Sequence, residues 1–227
     1  MKEPKGRHEL KYELRPSEFL LMRPALQAVM QQDIHAGPDG GYSVQSLYFD
    51  NFNDKALFEK VNGVNIREKY RLRMYNRSRQ MILFERKAKR GSLCYKSAAR
   101  ISEETCHALV SGNALPAYAL DNELLAGFTN TRRESCFVPK TMVSYDRTAF
   151  VYGPGNVRVT YDSNIRTGLA HASFFDDGCP LIPALPGSGI LEIKYDGFLP
   201  DIIRMIVQTN FARQQAYSKY AACRRYD

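Results

Sequence analysis

Apolar and polar residues alternate one for one in stretch after stretch of this chain, most sharply in residues 66–90, IREKYRLRMYNRSRQMILFERKAKR. Two strands joined by a short polar turn are the simplest reading. In the first, Arg67, Lys69, Arg71 and Arg73 take every second position, with Glu68, Tyr70, Leu72 and Met74 opposite. In the second, Glu85, Lys87 and Lys89 share a face against Ile82, Phe84 and Ala88, and Arg86 interrupts the apolar side.

The same period recurs along the chain. Residues 7–14 alternate strictly, with Arg7, Glu9 and Lys11 on one face and His8, Leu10, Tyr12 and Leu14 on the other. Pro16 and Ser17 open a helix of about a dozen residues, and Gly37 to Gly41 ends it in a turn. Residues 42–50 are β-branched and aromatic enough for a strand, and a short helix over 54–61 leads into the hairpin. Strands are predicted over 93–101, 141–152, 156–166 and 190–196, and helices from Ser102, over 116–134 and from Pro200 to about Arg225, where Ile203, Ile206, Val207 and Phe211 would pack on the sheet. Residues 168–189 are rich in glycine and proline in their second half and read as a long connection without regular structure. That gives eight strands.

Ionic residues sit on alternate positions of nearly all of them: Lys96, Arg147, Arg158 and Asp162, and Glu192 with Lys194, join those already named. An open sheet with a solvated basic face produces this pattern; so does an antiparallel barrel whose apolar face packs against outer helices and whose charged face lines a lumen. Arg147, alone among Val143, Tyr145, Ala149 and Val151, favours the tunnel. The expected fold is therefore α+β, an eight-stranded antiparallel β-barrel tunnel with helices packed outside, in one domain over residues 1–227.

Composition narrows the partners. The chain has 227 residues, 44% of them hydrophobic, and a formal net charge of +8, enough for one substantial core and a preference for anions. Like charges at two-residue spacing repel unless something anionic lies against them. Five widely spaced cysteines without a C-x-x-C pair suggest neither a disulfide framework nor a zinc site. With no signal-like or membrane-spanning apolar run, a soluble, cytoplasmic setting is expected. A triphosphate carries about four negative charges, which rows of arginine and lysine hold through charge-assisted bonds. Carboxylates among those cations suit Mg²⁺ or Mn²⁺ bridging phosphate oxygens, and Glu192 and Glu85 are the candidates. No G-x-x-x-x-G-K-[ST] loop occurs, so side chains must hold the phosphates.

Taken in order, RHELKYEL, SLYFDN, YRLRMYN, FERKAK, YDRTAF, VRVTYDSNIR, ILEIKYDG and YSKY resemble the vacuolar transporter chaperone (VTC) domain of the triphosphate tunnel metalloenzyme superfamily. The resemblance spans nearly the whole chain. It implies a β-barrel tunnel and an ATP-dependent polyphosphate polymerase that moves the γ-phosphoryl group of ATP to a growing chain with Mn²⁺ or Mg²⁺. By motif, Lys11, Arg71, Arg73, Lys87, Arg147 and Lys219 are the catalytic candidates. Arg7, Lys96, Arg158, Lys194 and Ser218 are the substrate-binding ones, and Glu192 matches the metal-binding glutamate. Glu9 matches the middle of an E-x-E-x-K pattern whose first glutamate is here Arg7. The chain departs from the family at Ala216, where lysine is usual, in lacking tryptophan after Pro200, and in carrying no SPX or transmembrane domain. A compact prokaryotic-type catalytic domain is implied, acting on ATP and polyphosphate beside a separate membrane-protein partner, with no membrane insertion of its own.

Two rivals stand beside this reading. One is a metal-dependent hydrolase of tripolyphosphate or nucleoside triphosphates on the same fold. The other is a non-catalytic module binding nucleic acid or polyphosphate. Tyr12, Tyr70 and Tyr75 are its base-stacking candidates, although Tyr12 and Tyr70 lie opposite the charged stripe.

Overall fold

A computed structural model of the protein describes residues 5–169, 174–176, 178–208, 213–214 and 216–226. Eight long strands carry the architecture: β1 (His8–Leu14), β3 (Gly41–Asp50), β4 (Ile66–Tyr75), β5 (Ile82–Arg90), β6 (Leu93–Ile101), β7 (Val138–Tyr152), β8 (Val157–Leu169) and β10 (Gly189–Tyr195). Three two-residue strands, β2 (Gln31–Gln32), β9 (Ile182–Pro183) and β11 (Arg213–Gln214), are appended to them. All pair antiparallel, in the order β11-β1-β10-β8-β7-β3-β4-β5-β6. The sheet curls until its two ends meet. There the Arg7 and Cys94 backbones exchange two N–H···O bonds of 3.0 Å, and no further ladder joins β1 to β6 among the described residues.

Alternation decides which side of the curl each residue takes. The outward face is apolar and helix-covered. Helices α1 (Pro16–Val29) and α5 (Asp201–Val207) bring Phe19, Met22, Leu26, Ile203 and Val207 against Tyr12, Val159, Tyr161, Leu191 and Ile193. On the other flank α3 (Glu103–Ser111) and α4 (Glu123–Ser135) pack Cys106, Leu109, Leu125 and Phe128 on Leu47, Phe49, Tyr70, Leu72 and Phe84. Arg86, which broke the apolar alternation of β5, pairs on this outer side with Glu68 at 2.6 Å.

A third cluster lies on the concave side, where Val44, Tyr48, Val143, Tyr145, Ile165 and Ile190 meet Tyr220 and Cys223 of α6 (Lys219–Cys223). Helix α6 therefore plugs part of the curl from within. It is anchored by Asp50, which also accepts the backbone N–H groups of Asn51 and Ala56 at 2.9 and 2.8 Å and of Leu57 at 3.1 Å, at the start of α2 (Lys55–Val61). The Tyr220 hydroxyl donates to the same carboxylate at 2.7 Å.

Two expectations need correction. The region after Pro200 is not one long helix: α5 ends at Val207, and α6 is a separate element entered through β11. Phe211 lies outside the described residues. Nor is the stretch 168–189 wholly irregular, because β9 pairs Ile182 with Thr167 and Pro183 with Arg166. Proline is tolerated at such a sheet edge, where its missing N–H is not needed. All five cysteines are free, and no helix among the described residues is long and apolar enough to cross a membrane.

Replacing Asp50 by alanine leaves a buried tyrosine hydroxyl and three backbone N–H groups, two of them in α2, without this acceptor, each such loss costing about 1–3 kcal/mol. Hydrogen exchange should report it. Protection is expected to fall in α2 and α6 while the outer helices α1 and α3 keep theirs; uniform loss over all four would contradict this account of the anchor.

Candidate active site, a two-chambered basic tunnel

The inward faces of the strands meet in a register that pairs opposite charges. Lys11 lies across from Glu192, and Glu9 from Lys194. Arg71 faces Glu85, and Arg147 faces Asp162. Directly opposed unlike charges stabilise a sheet and like ones destabilise it, so the stripes of one sign along each strand are offset by their neighbours. One row escapes. Lys69, Lys87 and Lys96 stand opposite one another on β4, β5 and β6.

Three buried carboxylates act as hubs. Glu85, 1% exposed, accepts from Arg71 at 2.7 Å, lies 3.6 Å from Arg73 and is bound by Lys96. Asp162, 0% exposed, takes both arms of the Arg147 guanidinium at 2.7 and 2.9 Å and the Lys219 ammonium at 2.6 Å. Glu192 sits 3.4 Å from Lys11, 3.3 Å from Lys194 and 4.0 Å from Lys87.

Burial alone would push all three carboxyls upward, and the cations outweigh it. Arg71 with Arg73 and Lys96 holds Glu85 well below the usual carboxylate range. Arg147 and Lys219 bring Asp162 down to about 2. Lys194, Lys11 and Lys87 keep Glu192 low. Tyrosines complete the lining: Arg71 donates to Tyr48 at 2.8 Å, and Arg73 and Arg147 donate to the Tyr145 hydroxyl at 3.1 and 3.3 Å.

Between these walls lie two chambers. The wider, about 950 Å³, is bordered by Arg7, Arg71, Arg73, Lys96, Arg147, Arg158 and Lys194. The narrower, about 330 Å³, is bordered by Lys11, Lys60, Arg67, Lys69, Lys89 and Ser218. Glu9, Lys87 and Cys94 border both. At this waist Lys87 reaches past β6 to Glu9 on β1 with two bonds of 2.6 and 2.7 Å.

The sequence-predicted cations thus come together around one lumen, most of them in the wide chamber. Lys219 and Glu192 enter through their ion pairs. The Ser218 hydroxyl accepts from Ala221 N–H at 3.3 Å, capping α6 while bordering the narrow chamber. Residues the sequence left without a role are Asp162, although it lies on the predicted ionic face, and Tyr48, Tyr145 and Asp33. Asp33, in a loop after β2, binds Arg158 and is unmarked by any local pattern.

Residues 6–226 match the VTC domain family model. The chain belongs to the VTC domain family. No curated protein matches the sequence. Among solved structures, a candidate adenylyl cyclase from Hippeastrum, described as having a dominant triphosphatase activity, is 14% identical with a TM-score of 0.54, over 97% of this chain and 96% of that one. A candidate adenylate cyclase from Bacillus halodurans is 12% identical with a TM-score of 0.51, over 90% and 88%. A protein of Pyrococcus horikoshii OT3 is 10% identical with a TM-score of 0.51, over 95% and 96%. At these identities the likeness shows the fold alone, and that fold is the triphosphate tunnel.

In this VTC domain Lys69 is a buried lumen amine with no carboxylate ion pair among the described residues. Its nearest described partner is the Tyr48 ring, 5.4 Å from the ammonium. Burial, with Lys87, Lys11 and Arg71 nearby, pushes its pKa down to about 7 against the opposing pull of Tyr48. A bound polyphosphate favours the charged amine, so binding above pH 7 recharges Lys69 and takes up a proton, and affinity falls as the pH rises past that value. Titrating tripolyphosphate into the protein at pH 8 in buffers of different ionisation enthalpy should show uptake approaching about one proton from this group. Lys69→Arg, which stays charged, should remove that share; equal uptake by both proteins would exclude Lys69 as the source.

Proposed function

We infer that the tunnel is the active site of an ATP-dependent polyphosphate polymerase, transferring the γ-phosphoryl group of ATP to a phosphate chain. One observation carries this reading. The cationic lining continues past the Glu9–Lys87 waist into a second chamber with Lys11, Lys60, Lys69 and Lys89 on its walls. A hydrolase needs only water beyond the triphosphate. A polymerase needs a place for an anionic acceptor, and the second chamber offers one.

In this reading Arg71, Arg73 and Lys96 hold the triphosphate with Arg7, Arg147, Arg158 and Lys194 around it, and Lys11 and Lys87 receive the transferred group at the waist. Arginine forks and lysine ammonium groups now on Glu85 and Glu192 have donors to share with phosphate oxygens. The acceptor's own oxygen is the nucleophile, so positioning and charge neutralisation are the chief needs. Lys219 reaches the lumen through Asp162, which keeps it beside Arg147.

Mn²⁺ or Mg²⁺ suits a site of one or two carboxylates completed by phosphate oxygens. Among the described residues no three acidic, histidine or cysteine side chains form a ready metal cluster. Glu192 and Glu9 are diagonal neighbours across the β1–β10 ladder, close enough for Glu9 to feel the charge of Glu192, and this donor pair fits. Glu85 fits less well, being enclosed by Arg71, Arg73 and Lys96, and serves here to set the positions of those cations. The metal, when bound, would offset charge on the transferring phosphoryl group.

ATP and polyphosphate are the partners in this reading. It places the reaction in the cytoplasm and leaves any export of product to a separate membrane protein. Hydrolysis is the second reading, supported by the triphosphatase activity attributed to the Hippeastrum neighbour and by a wide chamber that can house a triphosphate unaided.

Incubation with γ-labelled ATP and Mn²⁺, with products resolved by gel, tests both readings. Wild-type protein is expected to build labelled chains, and Arg71→Ala and Glu192→Ala each to lose about 10²–10³-fold in rate, the usual consequence of removing one preorganised charge-stabilising group. Orthophosphate as sole product would replace the polymerase with the hydrolase. Polyphosphate binding without turnover would leave a binding module.

A further inference from the structure

On the outer side of the sheet, helix α1 is apolar on both of its faces. Phe19, Met22 and Leu26 are buried against the strands, as the inner side of a surface helix should be. The opposite side carries no exposed charge. Leu20 and Leu21 are 61% and 77% exposed there, and Pro24, Ala25 and Ala28 are exposed with them. Glu18 and Arg23, the charged residues of the helix, are both half-buried, and Glu18 is held by Arg15 at 2.9 Å. In a chain that is 25% charged, a helix apolar all round is one that is covered on both sides.

Helix α5 packs beside α1 and extends this face with Ile202 and Met205, 47% and 78% exposed. Its own charges pair with each other, Arg204 with Asp201 at 3.3 Å. Together these side chains expose roughly 600 Å² of apolar surface, at the upper end of what a monomer shows and most of the share that each partner buries in a standard interface.

We propose that this face joins two copies of the chain in a twofold dimer, with α1 and α5 of one protomer lying on α1 and α5 of its partner. Twofold contact sets a patch against itself, so a side chain near the axis meets its own kind. A chain of net charge +8 tolerates that only where charges are missing or already paired, and the α1–α5 face meets both conditions. The exposed apolar group around α2 does not. There Lys55, Lys60 and Arg67 stand among Phe52, Phe58 and Ile66, and two such faces would repel. A bilayer is a poorer occupant for the opposite reason, because helices that lie in a lipid interface are bordered by free Lys and Arg, whereas Arg15 and Arg204 at this border are each paired with a carboxylate. The dimer does not depend on the phosphate chemistry proposed above, and it leaves the charged inward faces uncovered.

Sedimentation equilibrium of the full chain tests this. Wild type is expected to reach twice its mass of 25.9 kDa, with a dissociation constant in the micromolar range or tighter. With no ion pair at its centre, that constant should change by no more than about three-fold between about 0.1 and 0.5 M NaCl. Leu21→Glu and Met205→Glu each set like charges into the contact and are expected to weaken it about 10²-fold or more, while Phe58→Glu on the α2 group leaves it unchanged. Circular dichroism and thermal melting establish that each variant is folded, and if Leu21→Glu is not, Met205→Glu carries the same test. Wild type that stays monomeric at about 100 μM overturns the proposal, whether or not it binds phosphatidylserine vesicles. A dimer that survives both α1 and α5 substitutions, or that is abolished by salt or by Phe58→Glu, overturns it equally.

Discussion

A sheet that curls on itself encloses one of its faces, and in this protein the enclosed face carries the charges. Such a face holds together only if each buried ion finds its opposite, because an isolated charge out of water costs several kcal/mol even after the protein relaxes around it. The register meets that condition over most of the lumen, placing Glu85, Asp162 and Glu192 where each is surrounded by two or three cations. The carboxylates are thus as necessary to the basic tunnel as its arginines. Without them the lumen would repel itself; with them it keeps a cationic excess that includes the buried Lys69.

The outer architecture serves the same end. Helices α1 and α5 on one flank and α3 and α4 on the other cover the apolar face, leaving the inner face free of the need to supply a core. Helix α6 enters the curl, and it carries Lys219 to Asp162 while Tyr220 is held by Asp50. A structural carboxylate thereby helps to fix the position of a lumen amine paired with a strand two places away. The link from packing to chemistry is one hydrogen bond long.

Much of this was legible in one dimension. Alternation identified all eight long strands, the face each residue takes and the cations that meet in the lumen. The partners of those cations were not legible, because a strand's own sequence reveals neighbours two positions away and says nothing of residues across the ladder. Asp162 could be seen on the ionic face, but not as the residue that pairs with Arg147. Likewise the like charges spaced along β4 point to solvent or an external anion as their relief, whereas Glu85 already provides part of it from β5. The last helix was overextended because helical periodicity after Pro200 continues past the point where tertiary pairing in β11 takes over. The two-residue β9 had no signal beyond a proline-rich stretch.

The junction between β1 and β6 gives the tunnel a mechanical character distinct from that of a seamless barrel. A barrel laddered all the way round has a fixed circumference, since widening it means breaking a full row of backbone bonds. Here the ring is split: among the described residues a backbone bridge at Arg7 and Cys94 and the ion pairs of Lys87 with Glu9 and Glu192 hold the two ends. Releasing those few bonds lets the bore widen while every long ladder stays intact. The diameter of the lumen becomes an adjustable quantity, governed at the same waist where the two chambers meet.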